Sequence, residues 1–233
     1  MKSIPFARSA LVLLATVCLA VHPEPLFPQA KSPKGLTPEQ VAAIHGRIIQ
    51  SEEAGAIPDR LAKGTGNIYI HAPDLIITPV HLDPKNQIAN WMRQCDLVVV
   101  GKMGTGTSYM TARKGFLNTD WSFTVEDMVK NNPAALVSSG TTITVIAFGG
   151  KLEIGGRTVH AIQKTYREFR TGQQYLLFLK FVPETGAYSS CGPTGFAFSG
   201  ARMVRLRVQS IIHPEIEAME KDALIRALKE SLN

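Results

Sequence analysis

Cys95 and Cys191 are the residues in this chain whose chemistry is simplest to foresee. In an oxidising compartment an even pair of cysteines is read first as a disulfide, and once Cys18 is set aside these two are the only possible partners. Neither belongs to a C-x-x-C motif, and no histidine spacing around them suits zinc. The alternative is two separate buried thiols, because a sequence does not show that two Cα atoms lie within bonding reach. His71 and His81, with Asp74 and Asp83 nearby, have metal-ligand chemistry, but ten residues interrupted by prolines match no familiar ligand spacing. No metal or cofactor is expected. His22, His45, His160 and His213 lack a local acid or cysteine partner, and Asp120 and Glu153 stand as single acids. Glu126 and Asp127 adjoin on an expected strand, where neighbours point to opposite faces and cannot act as a facing carboxylate pair. There is no G-x-S-x-G, H-E-x-x-H or P-loop, and "GKMGTG" at 101–106 has the wrong glycine spacing for a dinucleotide loop and reads as a turn. No catalytic residue is nominated.

The N-terminus sets the compartment. Lys2 and Arg8 precede an apolar run from Ala10 to Leu19, and Cys18-Leu19-Ala20 offers small residues at a cleavage site, so residues 1–20 read as a secretory signal. The run is too short to span a bilayer, which needs about 20 apolar residues. A lipid-anchored variant through Cys18 is disfavoured by Val17 and Ala15 at the flanking positions. Removing Lys2 and Arg8 with the signal takes the formal charge of +6 down by two, to +4. With no dense Lys/Arg tract, that excess does not organise a phosphate-binding stripe.

The elements that must position any site follow. Residues 21–36 are a proline-rich linker. A helix then opens at Thr37-Pro38-Glu39-Gln40, a capping box with proline at its first position, and runs toward Gly55. Asn67–His71 and Leu75–Thr78 are short β-rich runs, and "NQIANWMRQ" is a short helix leading to Cys95; together residues 37–93 form an extension before the main domain. From 94 to 209 strands succeed one another: "CDLVVVGKMG", "TDWSFTVEDMVK", "GTTITVIAFGG", "RTVHAIQ", "QQYLLFLKFV" and "MVRLRVQ", the last with Val204, Leu206 and Val208 inward. Residues 210–233 form an amphipathic helix opening at His213-Pro214, its charged face with Glu220, Lys221 and Arg226 solvated. Strands without βαβ alternation predict a mainly β, α+β fold: a five- to six-stranded OB-like barrel with flanking helices.

The order "CDLVVVGKM … WSFTVEDMVK … TITVIAFGG … GQQYLLFLKFV … SSCGP" over residues 94–208 resembles the netrin-module and tissue-inhibitor-of-metalloproteinase-like group of secreted OB-fold domains, especially its bacterial exported members. That resemblance implies a five-stranded OB barrel, a disulfide tying the first strand to a later segment, and binding instead of catalysis. The chain departs from animal members in having no Cys-x-Cys pair at the start of the domain. The expected function is an exported, non-catalytic binding module of the periplasm, cell envelope or extracellular space, with a protein or envelope polymer as partner. The alternatives are a hydrolase with a dispersed site and an oligonucleotide-binding OB domain. The latter is disfavoured because basic residues such as Lys180 and Arg205 lack interleaved aromatic platforms. The expected contact region is a loop, "MGTGTSYMTARKGFLNT", whose Tyr109, Met110 and Phe116 are apolar groups a spacer does not need, unless they tuck onto the barrel.

Overall fold

A computed structural model describes residues 35–46, 56–72, 82–208 and 211–232. The signal segment, nearly all of the linker, the second half of the expected first helix, the Leu75–Thr78 run and His81 lie outside the described residues. In chain order the elements are α1 (Pro38–Gly46), α2 (Ala56–Lys63), β1 (Ile68–His71), α3 (Pro84–Gln94), β2 (Leu97–Met110), β3 (Leu117–Lys130) and β4 (Thr142–Phe148). There follow β5 (Gly150–Ile154), β6 (Arg157–Ile162), β7 (Gln174–Val182), β8 (Ala187–Ser199), β9 (Arg202–Arg205), α4 (Pro214–Glu217) and α5 (Lys221–Glu230).

The molecule is mainly β with flanking helices, and its larger sheet closes on itself. The order is β4-β3-β2-β7-β8-β9, and β4 also pairs with β8 in parallel through Val145 with Tyr188 and Ile146 with Ser189. β2, β3, β4, β8 and β7 therefore form a ring, with β9 added to β8 as an edge. A second sheet, β1-β6-β5, lies beside it. Side-chain alternation sorts the core. Leu97 and Val99 of β2 and Leu177 and Leu179 of β7 point into the ring with Phe123, Val145 and Tyr188. Val98, Val100, Leu176 and Phe178 point outward under Trp91 and Met92 of α3 and Leu224 and Leu228 of α5. Two strands buried on both faces explain why "LVVV" and "YLLFL" are continuous apolar runs and not alternating ones.

Local signals seat the helices. Thr37 and Gln40 form the expected capping box: the Thr37 N–H donates to Gln40 Oε1 at 2.8 Å, and the Gln40 N–H donates to Thr37 Oγ1 at 3.3 Å. α3 starts two residues earlier than the sequence run suggested, because Asp83 caps it by accepting from the Asn86 N–H at 3.0 Å and Pro84 suits its first turn. At its other end Lys130 Nζ donates to the carbonyls of Met92 (2.6 Å) and Cys95 (2.5 Å), satisfying oxygens the helix leaves over. Cys95 follows at once and is disulfide-bonded to Cys191 of β8, with Cα atoms 5.6 Å apart. The bridge ties the end of α3 to β8 within the outer core that Trp91 and Phe178 share.

Several sequence expectations are corrected. The segment 103–119 is not a loop: β2 and β3 run through it as a long hairpin whose tip spans only 111–116. "GKMGTG" is accordingly strand, its glycines needed for close approach; a Cβ on Gly101 would lie 2.1 Å from the Thr124 carbonyl oxygen. β5 and β8 were not foreseen, since "GGKLEIGG" and "SSCGPTG" are rich in turn residues, yet ladder bonding to β6 and β7 holds them extended. Glu126 and Asp127 do not point apart. Val100 pairs with Asp127 and Gly101 with Val125, so Glu126 is a bulge, and both acids line one groove beneath α5. The C-terminal helix is two helices, broken at 218–220. Lys221 is not simply solvated, as it donates to Gln174 Oε1 at 2.8 Å and sits 4.9 Å over the Phe198 ring. β9 stops at Arg205, leaving Leu206 buried but Val208 exposed.

Candidate functional site

The β2–β3 hairpin extends beyond the ring with one face out and one in. On the outer face, Tyr109 and Asn118 are paired across the hairpin, Asp120 follows, and α1 lies over them. His45, 1% exposed, is the centre of a polar cluster. Its Nδ1 is 3.1 Å from both Asp120 carboxylate oxygens and 3.0 Å from the Tyr109 hydroxyl, while its Nε2 is 2.8 Å from Thr185 Oγ1 in the β7–β8 turn. The carboxylate calls for the ring proton on Nδ1, so Nε2 accepts from the Thr185 hydroxyl. Tyr109 donates to Asp120 at 2.7 Å; burial, then the adjacent Asp120 charge, pushes its phenol well above the ordinary tyrosine range. Asn118 Nδ2 donates to the His45 carbonyl at 3.2 Å, while Asn118 Oδ1 is buried without a partner.

Thr185, His45 and Asp120 stand in the order of a nucleophile, a base and an orienting carboxylate. Hydrolysis also needs donors for a developing oxyanion, and the backbone N–H groups beside Thr185 are committed. Those of Thr185 and Gly186 donate to the Val182 carbonyl at 3.2 and 2.9 Å, and that of Ala187 to Thr185 Oγ1 at 3.4 Å. His45 and Thr185 are both buried. The cluster is a latch that joins α1 to the hairpin and to the β7–β8 turn, with Ile44 packing beside it near Ile146, Val182 and Ala187.

On the inner face β3 reads Leu117, Thr119, Trp121, Phe123, Val125. Leu117 packs with the second sheet and Phe123 and Val125 pack inside the ring, so Thr119 and Trp121 mark where the two cores part. There a cleft of about 310 Å³ opens, a size and barrel-mouth location common for ligand seats. Ser108 Oγ and Thr119 Oγ1 meet at 2.8 Å on its floor, and Thr119 donates to the Gly149 carbonyl at 2.7 Å, fixing the β4–β5 corner. Trp121 is half-buried against Gly106, where a Cβ would lie 2.8 Å from the indole. The β6–β7 connection forms the opposite wall. Phe169 meets Trp121, Tyr166 and Tyr175 edge-on with centroids 6.0, 6.0 and 5.1 Å apart. Burial pushes the Tyr166 hydroxyl up to about 12. Gln163, Arg167 and Lys151 also line the cleft, and among the described residues their side chains have no hydrogen-bond or ion-pair partner. Glu168 is held by His160 at 3.1 Å.

The groove beneath α5, about 480 Å³, is a different environment. Of the four acids that line it, the two on β3 are engaged, Glu126 by Gln174 (2.5 Å) and Lys102 (3.5 Å) and Asp127 by Lys229 (3.0 Å), while Asp222 and Glu230 come from α5. Among the described residues no three His, Cys, Asp or Glu side chains cluster as metal ligands.

Of the residues expected to contact a ligand, Tyr109 belongs to the latch, Met110 is half-buried, and Phe116 is 3% exposed in the core shared with the second sheet. None of them lines the cleft. Trp121, Tyr166 and Phe169 were not singled out as site residues; the visible signal was "TYREFR", two aromatics among cations between strands. No protein-family model, curated protein or solved structure matches the chain.

Proposed function

We propose that the chain is an exported, non-catalytic binding module on an OB-type barrel, with its ligand seat in the cleft between the barrel mouth and the second sheet. The barrel assignment is supported by connectivity. In chain order the ring strands pair first with second, second with third, first with fourth and fourth with fifth, and the third and fifth close in parallel. That connectivity supports reading the ring as an OB-type Greek-key barrel, the fold that the netrin-like resemblance implies. Export is supported by the N-terminal sequence and by a disulfide of the kind that persists in oxidising compartments. The observation that carries the binding role is the cleft itself: the half-buried rings of Trp121 and Tyr166 beside an amide and two cations whose side chains have no partner among the described residues. The hydrolase alternative draws on the Thr185–His45–Asp120 alignment, and the committed N–H groups around Thr185 argue against it.

A photo-crosslinking residue placed at Glu168, exposed on the cleft rim, is expected to capture envelope or extracellular material in the producing cell. The same residue at Glu230, beside the α5 groove, is expected not to. Equal capture from both positions, or capture from Glu230 alone, would refute the assignment of the seat.

A further inference from the structure

We propose that the cleft accepts an anionic saccharide: a sugar ring bearing a carboxylate, held against Trp121 with its charge toward Arg167 and Lys151. This rests on the cleft being the ligand seat. Three observations choose the chemistry. First, the charge at the cleft is lopsided. The connection that forms its wall carries three cations, Lys164, Arg167 and Arg170, against one acid, Glu168, whose carboxylate is turned to His160 Nε2 at 3.1 Å. Lys151 adds a cation from β5, and both Lys151 and Arg167 are exposed with no hydrogen-bond or ion-pair partner for their side chains among the described residues. A guanidinium fork suits a carboxylate.

Second, the remaining groups suit hydroxyls. The Gln163 amide offers two donors and an acceptor, and Ser108, whose own proton goes to the buried Thr119, presents a half-buried hydroxyl oxygen that accepts. Third, the rings suit a single aliphatic ring face and not a run of bases. Trp121, Phe169 and Tyr166 meet edge-on at interplanar angles of 83° and 87°, so they do not make successive parallel platforms, and Phe169 is 8% exposed. Single-stranded nucleic acid needs such platforms along a tracked backbone. The cleft volume, near the lower end for ligand pockets, suits one or two sugar rings of a longer chain.

The test uses Trp121 as its own reporter. The other tryptophan, Trp91, is 4% exposed in the core under α3, so an aqueous quencher reports mainly on Trp121. Acrylamide quenching of the exported, oxidised protein is measured with four probes: tetragalacturonate, a neutral galactose tetramer, polyglutamate and an oligo-thymidine. Tetragalacturonate should protect Trp121, and Arg167→Glu and Lys151→Glu should each weaken it by about tenfold, as the loss of one charge-assisted contact, with no change in melting temperature. Protection by the neutral tetramer that is equal in wild type and both variants would overturn the anionic class while leaving the cleft as the seat. Equal protection by polyglutamate or oligo-thymidine would overturn the saccharide class. Protection by none of the four would overturn the inference outright, whereas failure of the seat itself would appear in the crosslinking at Glu168, which keeps both cations and does not depend on ligand class.

Discussion

Removing the Cys95–Cys191 bridge tests the architecture through a quantity the structure sets in advance. The bond closes a loop of sequence separation 96, taking in α3's end, β2 to β7 and the start of β8. In the chain-entropy treatment a loop of that size removes about 16 cal/mol/K from the unfolded ensemble, or about 4.7 kcal/mol at 25 °C. Both cysteines are buried in the outer core with Trp91 and Phe178, so Cys→Ala keeps the site apolar and loses little packing beyond one sulfur. Cys95→Ala, Cys191→Ala and the double variant should therefore each lose on the order of 4–5 kcal/mol in urea unfolding. The three should agree closely, because each removes the same single bond. The denaturant slope should rise in all three, since an unfolded chain free of the cross-link exposes more surface. Losses below about 1.5 kcal/mol, or a double variant equal to the sum of the singles, would mean two independent cysteines and would refute the reasoning.

His45→Ala should destabilise by on the order of 2–4 kcal/mol, because it takes the ring nitrogen from the Thr185 hydroxyl in a buried site and leaves the Asp120 carboxylate with Tyr109 but without its histidine; hydrogen exchange should then show α1 opening while the ring amides stay protected. Asp96 gives a pH test. Burial pushes its carboxyl up, but the Phe181 N–H at 2.9 Å and Lys180 at 2.9 Å outweigh that and hold it below the ordinary range. A folded pKa below the unfolded value contributes stability that is present above about pH 4 and lost as pH falls through the depressed folded value. Asp96→Asn should lower the melting temperature at pH 7 and narrow the difference between pH 7 and pH 3; an unchanged difference would show that Asp96 is not the titrating group.

What was legible in the sequence was what short-range physics determines. The Thr37–Gln40 capping box, the doubly buried runs of β2 and β7 and the alternation of β3 and β4 all follow from neighbours within a few residues. The site was illegible because its determinants are long-range. His45 lacks any acid nearby in sequence, and its carboxylate partner lies 75 residues on, reached only through the packing of α1 on the hairpin. The bulge at Glu126 reverses the face of one acid, and no residue type in "TVEDMV" announces a bulge. β8 was hidden by composition: serines, glycines and a proline read as turn, while pairing to two neighbours supplies the bonds that intrinsic preference does not.

The latch and the cleft are two sides of one short piece of strand. Asp120 faces outward to His45, while its neighbours Thr119 and Trp121 face inward to the cleft floor and wall. Outside, the His45 contacts fix the hairpin to the β7–β8 turn. Inside, Thr119 fixes it to the β4–β5 corner through the Gly149 carbonyl, and from that corner β5 carries Lys151 to the rim. Trp121 thus stands on a strand restrained from both faces, and its distance from the cationic wall is set by the fold before any ligand arrives. A seat held in this way does not have to order its own strand on binding, which is the condition under which a small cleft with few polar contacts can still bind selectively. It also accounts for a buried histidine with a half-buried aspartate and tyrosine on a surface where apolar side chains would pack more simply. A polar latch admits one register of α1 on the hairpin, since any slip parts His45 from the Asp120 carboxylate, leaving that group to Tyr109, and takes the ring nitrogen away from the buried Thr185 hydroxyl.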